Sequence, residues 1–436
     1  MKTLPAFCCA IPAFVSPGSA QTVELLPSDL ASYDQFGTSI SVDLGCVLAS
    51  SRFDDDGGSG SGSAYLFKLP TGPYPDIQNE LIKFTASNGQ ANDNFGNSVS
   101  LNDGLALIGA INSNVLANNA GGAYLFDANP SSSTLGAELM WFGPAAADPS
   151  DTIGWSVNLD SGLALVGAAR DDDRALDAGA AYLFDADPSS STFGQMLLKL
   201  TASDGGTSHL FGSSVSMADG MALVGAMSAS TAGGSTGAAY LFDVNPASPN
   251  FGLELTKFAP SNGAPGDRFG QSVSMSDGRA LVGAPYHNAA WFRKSRYDGA
   301  AYLFDADPAS VMFSTLLTEF QPPNTHPHAM ELGRCVSLDG QFAALASPRE
   351  DFEVPGFNIW KSGTAYIFDA DPISPEFSNV HTKLLNPDPG YFEYFGRSVS
   401  IQNGVVAAGA PYETTFDSTW KIDAGSVFVT RLVDLR

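Results

Sequence analysis

Three groups of side chains in this sequence have the types and spacing to do chemistry. The first is carboxylates in runs: Asp54-Asp55-Asp56, and Asp171-Asp172-Asp173 with Asp177. Calcium takes about six to eight oxygen ligands, so Asp54, Asp56, Asp171, Asp173 and Asp177 are candidate metal ligands. Consecutive carboxylates point in different directions, however, and a solvated acidic loop is the simpler expectation. The second group is imidazoles, His326-Pro327-His328 with His287. They could hold a transition metal if they converged, although short His pairs in loops usually hold none.

The third group is aromatic and basic. One loop carries Tyr286, His287, Trp291, Phe292, Arg293, Lys294, Arg296 and Tyr297. A second carries Phe352, Phe357, Trp360 and Lys361, and a third Tyr412, Phe416, Trp420 and Lys421. Tyr391, Phe392 and Tyr394 lie shortly before the third. Flat rings beside a few donors suit sugar rings or the side chains of a protein partner. The competing expectation is that these loops fold over their own rings as small cores.

Catalytic arrangements are less in view. There is no His-Glu-x-x-His, no phosphate loop and no Cys-x-x-Cys. Among 46 Asp and Glu residues no pair is singled out for glycoside cleavage. No catalytic residue is nominated, and the chain is read as a non-enzyme that needs no cofactor.

What positions these residues is a repeat. Phe36-Gly37, Phe95-Gly96, Ile153-Gly154, Phe211-Gly212, Phe269-Gly270, Leu332-Gly333 and Phe395-Gly396 each open one copy of the same unit. The fourth copy shows its logic. Phe211 to Met217 alternates as a strand does, and Asp219-Gly220 suits a tight hairpin. Met221 to Ala226 is a small apolar strand buried on both faces; Gly237 to Asp243 and Leu253 to Phe258 complete four strands. Such a sheet has two apolar faces and is buried by packing against its neighbours around an axis. The expected fold is all-β: a closed seven-bladed β-propeller of four-stranded antiparallel blades.

The ends carry the argument for closure. The seventh copy stops after Gly425 to Val433, without a fourth strand. Thr22 to Ser28 precedes the first Phe-Gly and resembles the fourth strand of another copy, Leu255 to Ser261. An N-terminal strand should therefore complete the last blade and remove an exposed edge. The domain is read as residues 21–436.

The unit resembles the FG-GAP repeat of the integrin α-subunit propeller and of bacterial exported proteins. The residues that carry the resemblance stand in copy five as Phe269-Gly270-Gln271-Ser272-Val273-Ser274, Val282-Gly283-Ala284-Pro285 and Gly299-Ala300-Ala301-Tyr302-Leu303-Phe304. Several repeats of the integrin type carry an Asp-x-Asp-x-Asp-Gly calcium loop between the first two strands. Here that place holds only a short turn, such as Asp103-Gly104 or Asp277-Gly278, so calcium at the family's site is not implied.

Location and partners follow from the ends and the charge. Lys2, the mostly apolar stretch Leu4 to Val15 and the small residues Gly18-Ser19-Ala20 read as a secretion signal over residues 1–20. The chain is expected to be secreted, periplasmic or at the cell surface. No later segment approaches the roughly 18 apolar residues of a membrane-crossing helix. A formal net charge of −25 repels phosphate backbones, which argues against nucleic acid. The expected partner of a monomeric ring is an extracellular glycan or protein, bound through the aromatic loops of copies five to seven. The alternatives are a propeller enzyme, a polysaccharide lyase or hydrolase with an axial active site, and a structural component of a surface or matrix.

Overall fold

The structure, a computed structural model, describes residues 22–71, 77–231, 234–287, 297–323, 330–354, 357–416 and 420–432. The expected secretion signal and the expected ligand-binding residues Trp291, Phe292, Arg293, Arg296, His326 and His328 lie outside the described residues. Within them there is no helix, and none long and apolar enough to cross a membrane. Six four-stranded sheets and one five-stranded sheet carry the chain as seven blades. Blade 4 runs Phe211–Ala218, Met221–Ala226, Ala238–Asp243 and Glu254–Phe258, each strand antiparallel to the one before.

The alternation of the innermost strands has a physical cause. Their apolar residues enter cores shared by two blades: Val215 and Met217 of blade 4 pack with Leu165, Leu183 and Leu200 of blade 3. Their polar residues serve the next blade's backbone instead. Ser41 accepts from the Leu101 N–H, Ser100 from Leu159, Asn158 from Met217 and Ser216 from Met275. Ser274 accepts from Leu338, Ser337 from Ile401, and Ser400 from Val42, which returns to blade 1. Seven side chains thus form a closed ring around the axis. They satisfy backbone donors that the innermost edge of each sheet would otherwise leave open.

Crowding at the axis explains the glycines. Gly154 sits at φ 86°, and a Cβ on neighbouring Gly109 would lie 2.2 Å from the Gly154 carbonyl oxygen. No other residue fits that approach.

Closure takes the expected form. Thr22–Leu25 pairs antiparallel with Ser426–Arg431, in the register Thr22 to Thr430 and Leu25 to Val427. Val23 and Leu25 are fully buried in a core with Val427, Val429 and, from blade 1, Phe36 and Phe67. Ile77–Gln78 adds a short parallel strand outside the closing one.

Seven isolated bridges fix which loops share a face. Each joins the glycine that ends the loop between strands two and three to the opening residue of the next blade, as Gly299 to Leu332, Gly363 to Phe395 and Gly425 to Phe36. The loop of one blade and the segment entering the next therefore meet on one face. The longer loops of blades 6 and 7 form small hairpins there, Phe352–Val354 with Phe357–Ile359 and Thr415–Phe416 with Trp420–Lys421.

Candidate functional site

The aspartate runs prove to be cages built around lysines. Asp54 is buried and accepts from Ser63 Oγ at 3.1 Å and Tyr65 OH at 2.8 Å. Lys83 Nζ lies 3.0 Å from Asp54, 2.6 Å from Asp56 and 2.7 Å from Asp29. Burial alone would raise the Asp54 pKa, but donation from the Asp56 N–H, Tyr65 and Lys83 holds it below the usual carboxylate value. Blade 3 repeats the device: Tyr182 donates to Asp171, and Lys199 Nζ lies 2.7 Å from Asp171 and bonds Asp173. Asp177 takes part through its backbone N–H, which donates to Asp172.

The recurrence comes from strand register. The lysine stands directly across from the strand-three tyrosine: Lys83 to Tyr65, Lys199 to Tyr182, Lys257 to Tyr240 and Lys383 to Tyr366. In the last two the shared carboxylates are Asp204 and Glu350.

The carboxylates of Asp29, Asp54 and Asp56 offer oxygens within 4.8 Å of one another, as a cation site would, but the Lys83 ammonium fills that space. Chelators and added calcium are accordingly expected to leave the melting temperature within about 2 °C, since the counter-ion is covalent. Lys83→Met should cost about 3 kcal/mol, because it leaves a buried carboxylate without its cation, and should make stability respond to calcium. Calorimetry of both forms with and without chelator decides this; a chelator-sensitive wild type would reject it.

His287 is corrected as a ligand-facing residue. It is buried, its Nδ1 is 2.8 Å from Asp267, its Nε2 is 3.8 Å from Glu319, and its ring lies edge-on to Tyr302. The reason is the register again: Glu319, not a lysine, stands opposite Tyr302, and His287 turns inward beside that acid.

The aromatic sector is partly assembled on one face. Trp360 is 54% exposed, Tyr391 56% and Tyr297 39%, so these rings are not buried under their own loops. The Trp360 carbonyl accepts from the Phe392 N–H, the Lys361 carbonyl from Tyr394, and Lys361 Nζ lies over the rings of Phe392 and Tyr394. Tyr286 stacks on Tyr297 at 4.7 Å, and Tyr394 meets Tyr412 edge-on at 5.4 Å. Trp420 opens the returning strand of the blade 7 hairpin.

Tyr286, Tyr394 and Tyr412 converge on a polar cavity of about 530 Å³, which also takes in Arg334, Arg349, Arg397, Glu331 and Asp423. It adjoins a cavity of about 570 Å³ at the axial mouth, lined by the residues that follow each Phe-Gly and by Arg52 and Arg268. Most of the following residues are uncharged: Thr38, Asn97, Trp155, Ser213 and Gln271. Blades 6 and 7 place Arg334 and Arg397 there. Burial, then the nearby charges of Arg334 and Arg52, pull the Arg397 pKa down to about 10. Sequence reasoning missed these arginines; the available signal was the change to arginine at one fixed position of the repeat.

The fold and the site define a seven-bladed β-propeller whose loops build a tyrosine and arginine cavity at one end of the axis. The family model for the FG-GAP repeat matches residues 20–67, 79–126, 144–184, 197–242 and 253–304, more than half of the chain, and the chain belongs to that family. No curated protein matches the sequence, so no activity carries over from a relative.

Proposed function

We propose that this propeller is an exported, non-enzymatic recognition module that grips an extracellular glycan at the mouth formed by blades 5 to 7. The observation that carries the reading is the convergence of Tyr286, Tyr394 and Tyr412 with Arg334, Arg349 and Arg397 on one cavity of about 530 Å³. Rings supply flat apolar surface at little entropic cost, and the guanidinium forks supply fixed donors for hydroxyl and charged groups. The exposed rings of Trp360 and Tyr391 extend that surface outward.

Tyr394→Ala and Tyr412→Ala should each weaken binding of a retained glycan by about 2 kcal/mol, roughly thirtyfold, while barely changing the melting temperature. A glycan array followed by calorimetry on the secreted protein makes the measurement. Loss of stability with unchanged affinity would assign the tyrosines to packing. Cleavage of the retained glycan would turn the reading toward the enzyme alternative.

A further inference from the structure

We infer that the axial mouth is an anion site, which seats the carboxylate or sulfate group of an acidic sugar between Arg52, Arg334 and Arg397. This rests on the glycan reading and names the chemistry of its ligand. The three arginines come from blades 1, 6 and 7, which the closed ring makes consecutive, and all three line the same axial cavity. Arg268 lines it too, with its guanidinium 4.6 Å above the Tyr286 ring.

Internal charges neutralise this cluster only in part, through Glu331 and, in the adjoining cavity, Asp423. Glu331 is drawn toward Arg349 at 3.1 Å and lies 4.0 Å from Arg334. With its amide oxygen turned toward Arg334, Gln271 accepts from two of that guanidinium's nitrogens at 3.0 and 3.1 Å, which fixes its direction without cancelling its charge. Arg397 forms no ion pair among the described residues, and the buried Arg52 Nε has no acceptor there.

Elsewhere the chain does the opposite. Lys83, Lys199, Lys257 and Lys383 are each matched to carboxylates, and the formal net charge is −25. Several guanidinium groups drawn together at the axis of an acidic protein repel one another until an anion joins them. A carboxylate or sulfate can accept two parallel bonds from one fork and a third from its neighbour. The tyrosines beside the cluster favour a charged group carried on a sugar over a free ion.

The test titrates the full secreted protein with three probes: a polygalacturonate oligosaccharide, dextran sulfate and unmodified dextran. The expected result is binding of one or both acidic probes. Their affinity should fall at least tenfold on going from 50 to 500 mM NaCl, and at least tenfold in Arg334→Gln and Arg397→Gln. The two acidic probes tell carboxylate from sulfate. Arg397→Lys keeps the charge but loses the fork, and should retain an intermediate affinity with an unchanged melting temperature, which guards against misfolding. If dextran binds equally well and the arginine variants bind normally, the anion inference is overturned and the glycan reading stands. If none of the three probes binds, both are overturned.

Discussion

Deleting Gln21 to Leu30 is expected to cost several kcal/mol, a loss on the scale of a domain's whole stability margin, and to lower the melting temperature by about 5 °C. The segment supplies the strand Thr22–Leu25, which covers the edge of Ser426–Arg431 and buries Val23 and Leu25 completely. Its loss opens the core shared by blades 7 and 1, including Phe36 and Phe67. The Thr22 and Thr430 hydroxyls, 2.9 Å apart across this pair, lose their partner as well. A subtler form is Leu25→Asp, which keeps the strand but drives a charge into that core; it should cost at least as much as a buried unpaired carboxylate elsewhere. Thermal unfolding of the purified protein measures both. An unchanged transition after deletion would show that the ring closes without this strand.

The closure was legible because it depends on matching one strand to a repeat seen in every other copy. The blade count was legible for the same reason: a large apolar residue followed by Gly, recurring every 58 to 63 residues, is a local signal. The site was legible only in part. Aromatic loops announce themselves by composition, and the bridges from Gly363 to Phe395 and from Gly425 to Phe36 explain why Trp360, Tyr394 and Tyr412 share a face. What a string of letters does not display is convergence across the ring. Arg52 and Arg397 stand far apart in sequence, yet the closed circle makes their blades neighbours. The aspartate runs misled for a related reason. Their counter-ions, Lys83 and Lys199, lie on the fourth strand, and only the register across Tyr65 and Tyr182 brings them in. His287 reads as a surface histidine beside aromatic residues until Asp267, from the segment entering its own blade, is seen to hold it inward.

Blade 7 breaks the lysine pattern, and stability should depend on pH as a result. Glu24 stands opposite Phe428, where four other blades set a lysine opposite a tyrosine. Glu413 and Glu393 share the side chain of Asn386, and Ser426 donates to Glu413. Burial, then the charge of Glu393, pushes the Glu413 pKa well up. Burial, with the charge of Asp388 added, raises Glu393 to about 7 and also raises Glu24. Asp34, raised mainly by burial to about 7, and Asp151, to about 6, behave alike in blades 1 and 3.

For an acid whose folded pKa lies above its unfolded value, the native state holds the extra proton between the two. Stability therefore falls as pH rises through that window. For Glu393 the window runs from the ordinary 4.5 to about 7, and the loss is on the order of 3 kcal/mol once both states are ionised. Asp54 and Asp204 act in the other direction. Their folded pKa values are depressed, so their contribution is present above about 3.8 and is lost as pH falls below it. The two trends place the stability maximum near pH 5, with a decline toward pH 8. Glu413→Gln cannot ionise but keeps the shape and hydrogen-bonding capacity of the site. It should raise the melting temperature at pH 8, leave it nearly unchanged at pH 5, and flatten the profile between. A variant whose profile keeps the wild-type slope would show that the decline does not originate at Glu413, with Glu393, Asp34 and Asp151 as the next groups to neutralise.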